Sequence, residues 1–181
     1  TYPDRVSYRR CPELLNQSLT PSQVPVRVQL LGGQAEPLAN NARKVALLGA
    51  SAIDLNFGCP AKTVNKSNGG ACLLDHTNTL YDIVSSVRKA VPSSIPVSAK
   101  IRLGFNDRNS YLDNAKAIAD AGADELCVHA RSKVDGYKPP AYWQYIADIN
   151  QALTIPVIAN GEIWSLNDFK RCQTQSKSTD F

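Results

Sequence analysis

Apolar and polar positions alternate with two different periods along this chain, and the changes of period mark its elements. Residues 26–31 set β-branched and apolar side chains around Arg27 and Gln29, a pattern that predicts a strand. Leu38, Ala42, Val45 and Ala46 then recur at helical spacing, and Gly49 stands where a C-terminal cap belongs. Residues 52–55 predict a second strand. Leu80, Ile83, Val84, Val87 and Val91 share one helical face, which Pro92 ends. Residues 96–101 read as a strand, Leu112, Ala115, Ile118 and Ala119 as a helix closed by Gly122, and residues 125–129 as a strand. Tyr142, Tyr145, Ile146, Ile149 and Leu153 form the next helical face. A strand over 156–159 follows, then a capping signal at Ser165 and a weak helix around Leu166 and Phe169. Residues 1–25 keep no period and read as a connector with one helical turn at 12–15.

The order is a strand followed by a helix, five times over. That predicts a parallel sheet with helices outside it. An open doubly wound sheet wants a glycine fingerprint after its first strand, and no G-x-G-x-x-G occurs. Each predicted strand carries a polar residue at or near its C-terminal end: Gln29, Asn56, Lys100, His129 and Asn160. In a barrel these ends converge on one rim, where active sites lie.

Composition narrows the class. The 181 residues are 43% hydrophobic and 20% charged, which fits one globular domain. No apolar run approaches about 18 residues, so no membrane span is expected, and no signal peptide is read. The chain opens on Thr1 and contains no Met, so it reads as an interior piece of a longer protein. A net charge of +4 permits an RNA partner without requiring one. Arg5, Arg9 and Arg10 are either a solvated cluster or phosphate contacts. Five cysteines with no C-x-x-C pair argue against a disulfide framework or a zinc site and point to a reducing cytoplasm. Cys72 and Cys127 read as core residues.

The most informative stretch is residues 53–74, an apolar strand that breaks into a polar loop around Gly58-Cys59-Pro60 and returns to apolar residues after Gly69-Gly70. A thiol there is either a nucleophile, a general acid or a buried apolar group. With no neighbouring His to activate it, the acid role needs fewest assumptions. Lys100 admits a Schiff base, a charge partner for a reduced flavin, or a plain surface role. Gln29 beside it suits the polar edge of a flat heterocycle. His129 and Asn160-Gly161-Glu162 offer hydrogen bonds and close backbone approach.

Asn56-x-Gly58-Cys59-Pro60, with Lys62-Thr63-Val64-Asn65 and Gly69-Gly70-Ala71, resembles the active-site loop of the tRNA-dihydrouridine synthases. The resemblance extends through 27–30, 98–104, 128–131 and 158–162, and looks most like the bacterial C subgroup. It implies a (β/α)8 TIM barrel, here a partial one. The first strand, the last strands with their phosphate-binding motif, and a C-terminal tRNA-binding helical domain would lie outside the chain. It implies an FMN-binding catalytic domain over 1–181 that uses NADPH to reduce a D-loop uridine, U16, in tRNA. Cys59 would be the proton donor, and Gln29, Lys100, His129, Asn160, Gly161 and Glu162 would hold FMN. Asn56, Tyr137 and Arg131 would meet RNA, with Arg102 and Lys133 on neighbouring loops. A soluble, cytoplasmic monomer without metal is expected. Rival readings are an FMN-dependent dehydrogenase of a free pyrimidine, a non-catalytic RNA-binding barrel, and a Schiff-base aldolase using Lys100.

Overall fold

The computed structural model describes residues 12–16 and 18–181, so Arg5, Arg9, Arg10 and Cys11 lie outside it. Five strands form one sheet: β1 (Val28–Leu30), β2 (Ile53–Asn56), β3 (Val97–Arg102), β4 (Glu125–His129) and β5 (Val157–Asn160). All pair in parallel, in the order β1-β2-β3-β4-β5. The helices are α1 (Ala35–Leu47), α2 (Lys62–Lys66), α3 (Thr77–Ala90), α4 (Tyr111–Asp120), α5 (Gln144–Ala152) and α6 (Leu166–Ser176). A doubly wound sheet reverses its strand order partway. Here every new strand joins the same edge, which is how a (β/α)8 barrel is laid down. The fold is therefore a partial TIM barrel. After α6 the chain returns to that edge. Ala159 N–H donates to the Asp180 carbonyl at 2.9 Å, and Asp180 pairs with Ile158 in parallel.

Alternation gives the sheet two unlike faces. Ile53, Leu55, Val97, Ala99, Ile101, Leu126, Val128, Val157 and Ala159 are buried in the main core. Leu80, Ile83, Val84 and Val87 of α3 are fully buried there too, each contributing roughly 1.5–3 kcal/mol by leaving water. The larger helices pack as one layer, α1 on α3, α3 on α4, α4 on α5 and α5 on α6. The intervening positions are Gln29, Asp54, Asn56, Ser98, Lys100, Arg102, Glu125, Cys127, His129, Ile158 and Asn160, polar apart from Cys127 and Ile158. Pairing sets Asn56 beside Lys100 and Lys100 beside Cys127, and, one layer on, Arg102 beside His129 and His129 beside Asn160. The expectation that Cys127 is a core residue is corrected here. Its neighbours Leu126 and Val128 take the core face, so its thiol falls on the polar one, 3.4 Å from the Lys100 ammonium.

The sheet curls toward this polar face. Arg27, just before β1, forms a two-pronged ion pair with Glu125 at the start of β4. In a flat sheet three strand spacings would separate them by about 14 Å. Contact across two intervening strands requires the curvature of a barrel wall.

Candidate active site

The Cys59 loop is more ordered than its polar sequence predicts. Asn56, the last residue of β2, accepts hydrogen bonds at Oδ1 from the N–H groups of Gly58 and Cys59, at 3.1 and 3.0 Å. Its Nδ2 donates to Gln29 Oε1 at 2.8 Å. The chain then forms the short helix α2, followed by a 3-10 turn over Gly70–Asp75. Asn65 of α2 joins the two ends of the loop: Nδ2 donates to the Cys59 carbonyl at 3.1 Å, and Oδ1 accepts from Cys72 N–H at 2.7 Å. Ala71 N–H also reaches the Cys59 carbonyl. Gly70 takes φ +68, and a Cβ on it would stand 2.7 Å from the Cys59 carbonyl oxygen. The Cys59 side chain stays partly exposed. Cys72 packs against the core, as expected, and Cys172 is fully buried in it.

Along the polar face the expected site residues form two connected groups. Gln29 Nε2 donates to Asp54 at 2.7 Å, and Ser98 Oγ donates to the other Asp54 oxygen at 2.8 Å. Lys100 Nζ donates to Asn160 Oδ1 at 2.9 Å. Lys100, His129, Arg131, Tyr137, Asn160, Gly161 and Glu162 all line one open cavity of about 700 Å³. Gln29, Asn56 and Cys59 do not line it; they continue the same rim along β1 and β2. Gly161 has φ +107 and lies so close to His129 that a Cβ would come within 3.0 Å of the imidazole. Burial, then the positive charges of Arg102, Lys100 and Arg131, push the His129 pKa down to about 4. The imidazole is therefore neutral at physiological pH.

Two arginines expected on open loops are instead buried. Arg131 is 2% exposed; it donates to Glu162 and to the Pro140 carbonyl, and its Nη1 lies 3.4 Å from His129 Nε2. The arginine holds the Glu162 carboxyl below the usual carboxylate range. Arg102 is likewise 2% exposed and bonds three backbone carbonyls. Both guanidiniums are held by the loops that follow β2, β4 and β5, which supply Gly58, Ser132 and Gly136 to Arg102 and Pro140 and Glu162 to Arg131. Tyr137 remains 68% exposed at the cavity mouth, its ring 5.9 Å from that of His129. Lys133 lies over the Phe105 ring. The outer side of the Tyr137 loop is anchored by Arg108, which grips Asp135 and stacks on Tyr142 at 3.8 Å.

Sequence reasoning missed Asp54 and Ser98, which orient Gln29, and Asn65, which braces Cys59. It also passed over Trp164, which lines the cavity and is 84% exposed. Among the described residues no group of three or more His, Cys, Asp or Glu is placed to hold a metal ion. No described helix is long and apolar enough to cross a membrane.

A sequentially ordered parallel sheet, with polar groups gathered at the strand C-terminal ends, defines a β/α-barrel of the kind that carries enzyme sites. Solved structures agree on the fold. A phosphonopyruvate hydrolase superposes with a TM-score of 0.60 at 15% identity, covering 87% of this chain and 53% of that one. A putative dihydrodipicolinate synthase family protein from Coccidioides immitis gives 0.56 at 17% identity, covering 76% and 42%. Residues 1–179 match the dihydrouridine synthase (Dus) family. The chain belongs to that family. It is 58% identical over 170 residues to the tRNA-dihydrouridine(16) synthase of Shewanella oneidensis, covering 94% of this chain and 54% of that protein. It is 55% identical over 171 residues to the Vibrio cholerae protein of the same name, covering 94% and 53%. The chain spans about half the length of the curated relatives it matches.

Proposed function

We propose that this chain carries the reductive site of a tRNA-dihydrouridine synthase that acts on a D-loop uridine, U16. The observation that carries the proposal is the placement of Gln29, Asn56, Lys100, His129 and Asn160 on one face of a curled parallel sheet. Family membership supports the reaction class, and the names of the curated relatives support the position in tRNA.

The residues on that face fit FMN. Lys100 offers an ammonium, already oriented by Asn160, to the side of an isoalloxazine ring that gains negative charge. Gln29 has its amide oriented by Asp54 and Asn56 and suits the ring's polar edge. Neutral His129 can donate one hydrogen bond toward the ribityl side, and Gly161 leaves backbone open beside it, next to Glu162. Bound there, FMN would supply hydride chemistry to the uracil, with NADPH as the reductant.

The chain's own residues do the rest. A uridine in a folded tRNA is stacked, so it must leave its stack to reach the rim. Tyr137, exposed at the cavity mouth, offers the base an aromatic face. Asn56 fixes the start of the Cys59 loop, and Asn65 with Gly70 fixes its carbonyl side. Held in this way, the Cys59 thiol gives its proton to C5 and recovers one from solvent. Arg131 acts from beneath, steadying Glu162 and His129.

The absorption spectrum of the purified full-length protein, with any released cofactor identified by mass, tests this reading. Oxidised-flavin bands and the mass of FMN are expected. A colourless protein that cannot be reconstituted with FMN would overturn it.

A further inference from the structure

Two loops of the candidate site hang from one buried side chain. Arg102 closes β3, and its Nε donates to the Gly58 carbonyl at 2.9 Å. Its Nη1 donates to the carbonyls of Gly136 at 3.0 Å and Ser132 at 3.3 Å. The guanidinium carbon also lies 5.0 Å from the centre of the Tyr137 ring. Gly58 immediately precedes Cys59, and Gly136 immediately precedes Tyr137. One planar group therefore sets the backbone direction entering both functional residues.

The geometry suits arginine and no other side chain. A guanidinium presents its donors in a rigid plane, so moving one bonded carbonyl tilts the bonds to the others. Burial opposes the charge on Arg102, and the Tyr137 side chain offsets part of that cost. Without the donor, the buried Ser132 carbonyl and the part-buried carbonyls of Gly58 and Gly136 would each lose a hydrogen bond, which disfavours independent movement of either loop.

We infer that Arg102 is a positioning residue that couples the Cys59 loop to the Tyr137 loop, so that thiol and ring are set on one base as a unit. The inference rests on the reading that Cys59 and Tyr137 serve the same uracil. Its test needs no turnover, so the coupling and the reaction can fail separately.

Gly136 provides the perturbation. It has φ +63, and no atom lies within 4 Å of where its Cβ would stand. Gly136→Ala therefore strains the Tyr137 loop without any clash on the Cys59 side. In the full-length protein, the rate of Cys59 alkylation by N-ethylmaleimide would be followed residue by residue by mass spectrometry. Amide hydrogen exchange would be measured alongside. Gly136→Ala and Arg102→Lys are each expected to change Cys59 labelling by about threefold or more, and the double variant to go no further than Arg102→Lys. Exchange should rise in both loops together and stay unchanged in α3. Cys59 labelling that stays at the wild-type rate in Gly136→Ala, while exchange rises around Tyr137, overturns the coupling. Additive effects in the double variant overturn it too. Should Arg102→Lys fail to fold, Gly136→Ala decides alone.

Discussion

The Lys100 ammonium on β3 reaches across β4 to the Asn160 side-chain carbonyl on β5, at 2.9 Å. The two residues lie 60 positions apart, and Cys127 sits beneath the bond, its sulfur 3.4 Å from the same nitrogen. Register places Asn160 beside His129, one layer beyond the row of Lys100 and Cys127. The curvature of the sheet brings the two layers together, and the bond fixes a positive charge over the centre of the polar face.

Removing that charge should weaken cofactor binding more than folding. Lys100→Met keeps the stem that lies on the sheet and deletes the ammonium. FMN affinity of the full-length protein is expected to fall about tenfold or more, as for loss of a charge-assisted hydrogen bond of roughly 1.5–3 kcal/mol. Flavin fluorescence titration reads this directly. Unchanged affinity would remove Lys100 from the flavin contact.

The close approach at Gly70 gives a second prediction. A Cβ there meets the Cys59 carbonyl oxygen at 2.7 Å and Cys59 Cβ at 3.0 Å, in a backbone conformation that L side chains rarely adopt. Gly70→Ala is expected to cost ~1–3 kcal/mol and to displace the Cys59 loop. Urea denaturation gives the first quantity, and loss of dihydrouridine formation exceeding the fraction unfolded gives the second. A variant with wild-type stability and activity would show that the loop tolerates the shift.

A third prediction concerns pH. His129 is half-buried beside three cations, and its pKa is pushed down to about 4, against about 6.5 for an unfolded chain. The stabilisation from its neutral form is present above pH 6.5. It is lost as pH falls through the window from about 6.5 to 4, because only the unfolded chain takes up the proton there; the full loss is on the order of 3 kcal/mol. The stability difference between wild type and His129→Gln should therefore shrink over that window. Imidazole NMR of His129 should show a neutral ring at pH 6. A midpoint at or above 6.5 would contradict the burial argument.

Most of the fold was legible because each element carries its period in its own residues. The five strands fall within two residues of their predicted bounds at each end, and Ser165 forms the capping box its sequence signals. The two-faced character of the sheet was legible as well. Asp54 and Asn56, and Ser98, Lys100 and Arg102, occupy alternate positions, whereas strands covered on both faces read as continuous apolar runs. The helix over Lys62–Lys66 was not legible, since five residues hold little more than one turn and show no period. Burial of Arg102 and Arg131 was equally hidden. Their acceptors are backbone carbonyls and a carboxylate brought in mostly by other loops, from Gly58 to Glu162, and such contacts leave no mark in local sequence. The recruitment of Cys127 to the polar face was visible only in its alternation with Leu126 and Val128, which its apolar surroundings disguised.

The central claim is that the Cys59 loop delivers a proton to a uracil presented at this rim. Its most direct test is dihydrouridine formation at position 16 of unmodified tRNA by the full-length protein, comparing wild type with Cys59→Ala. Product with the wild type, and a loss of about 100-fold or more in the variant with flavin content unchanged, is the result predicted for removal of a general acid. Equal rates in the two proteins, or no product from a flavin-loaded wild type, would contradict it.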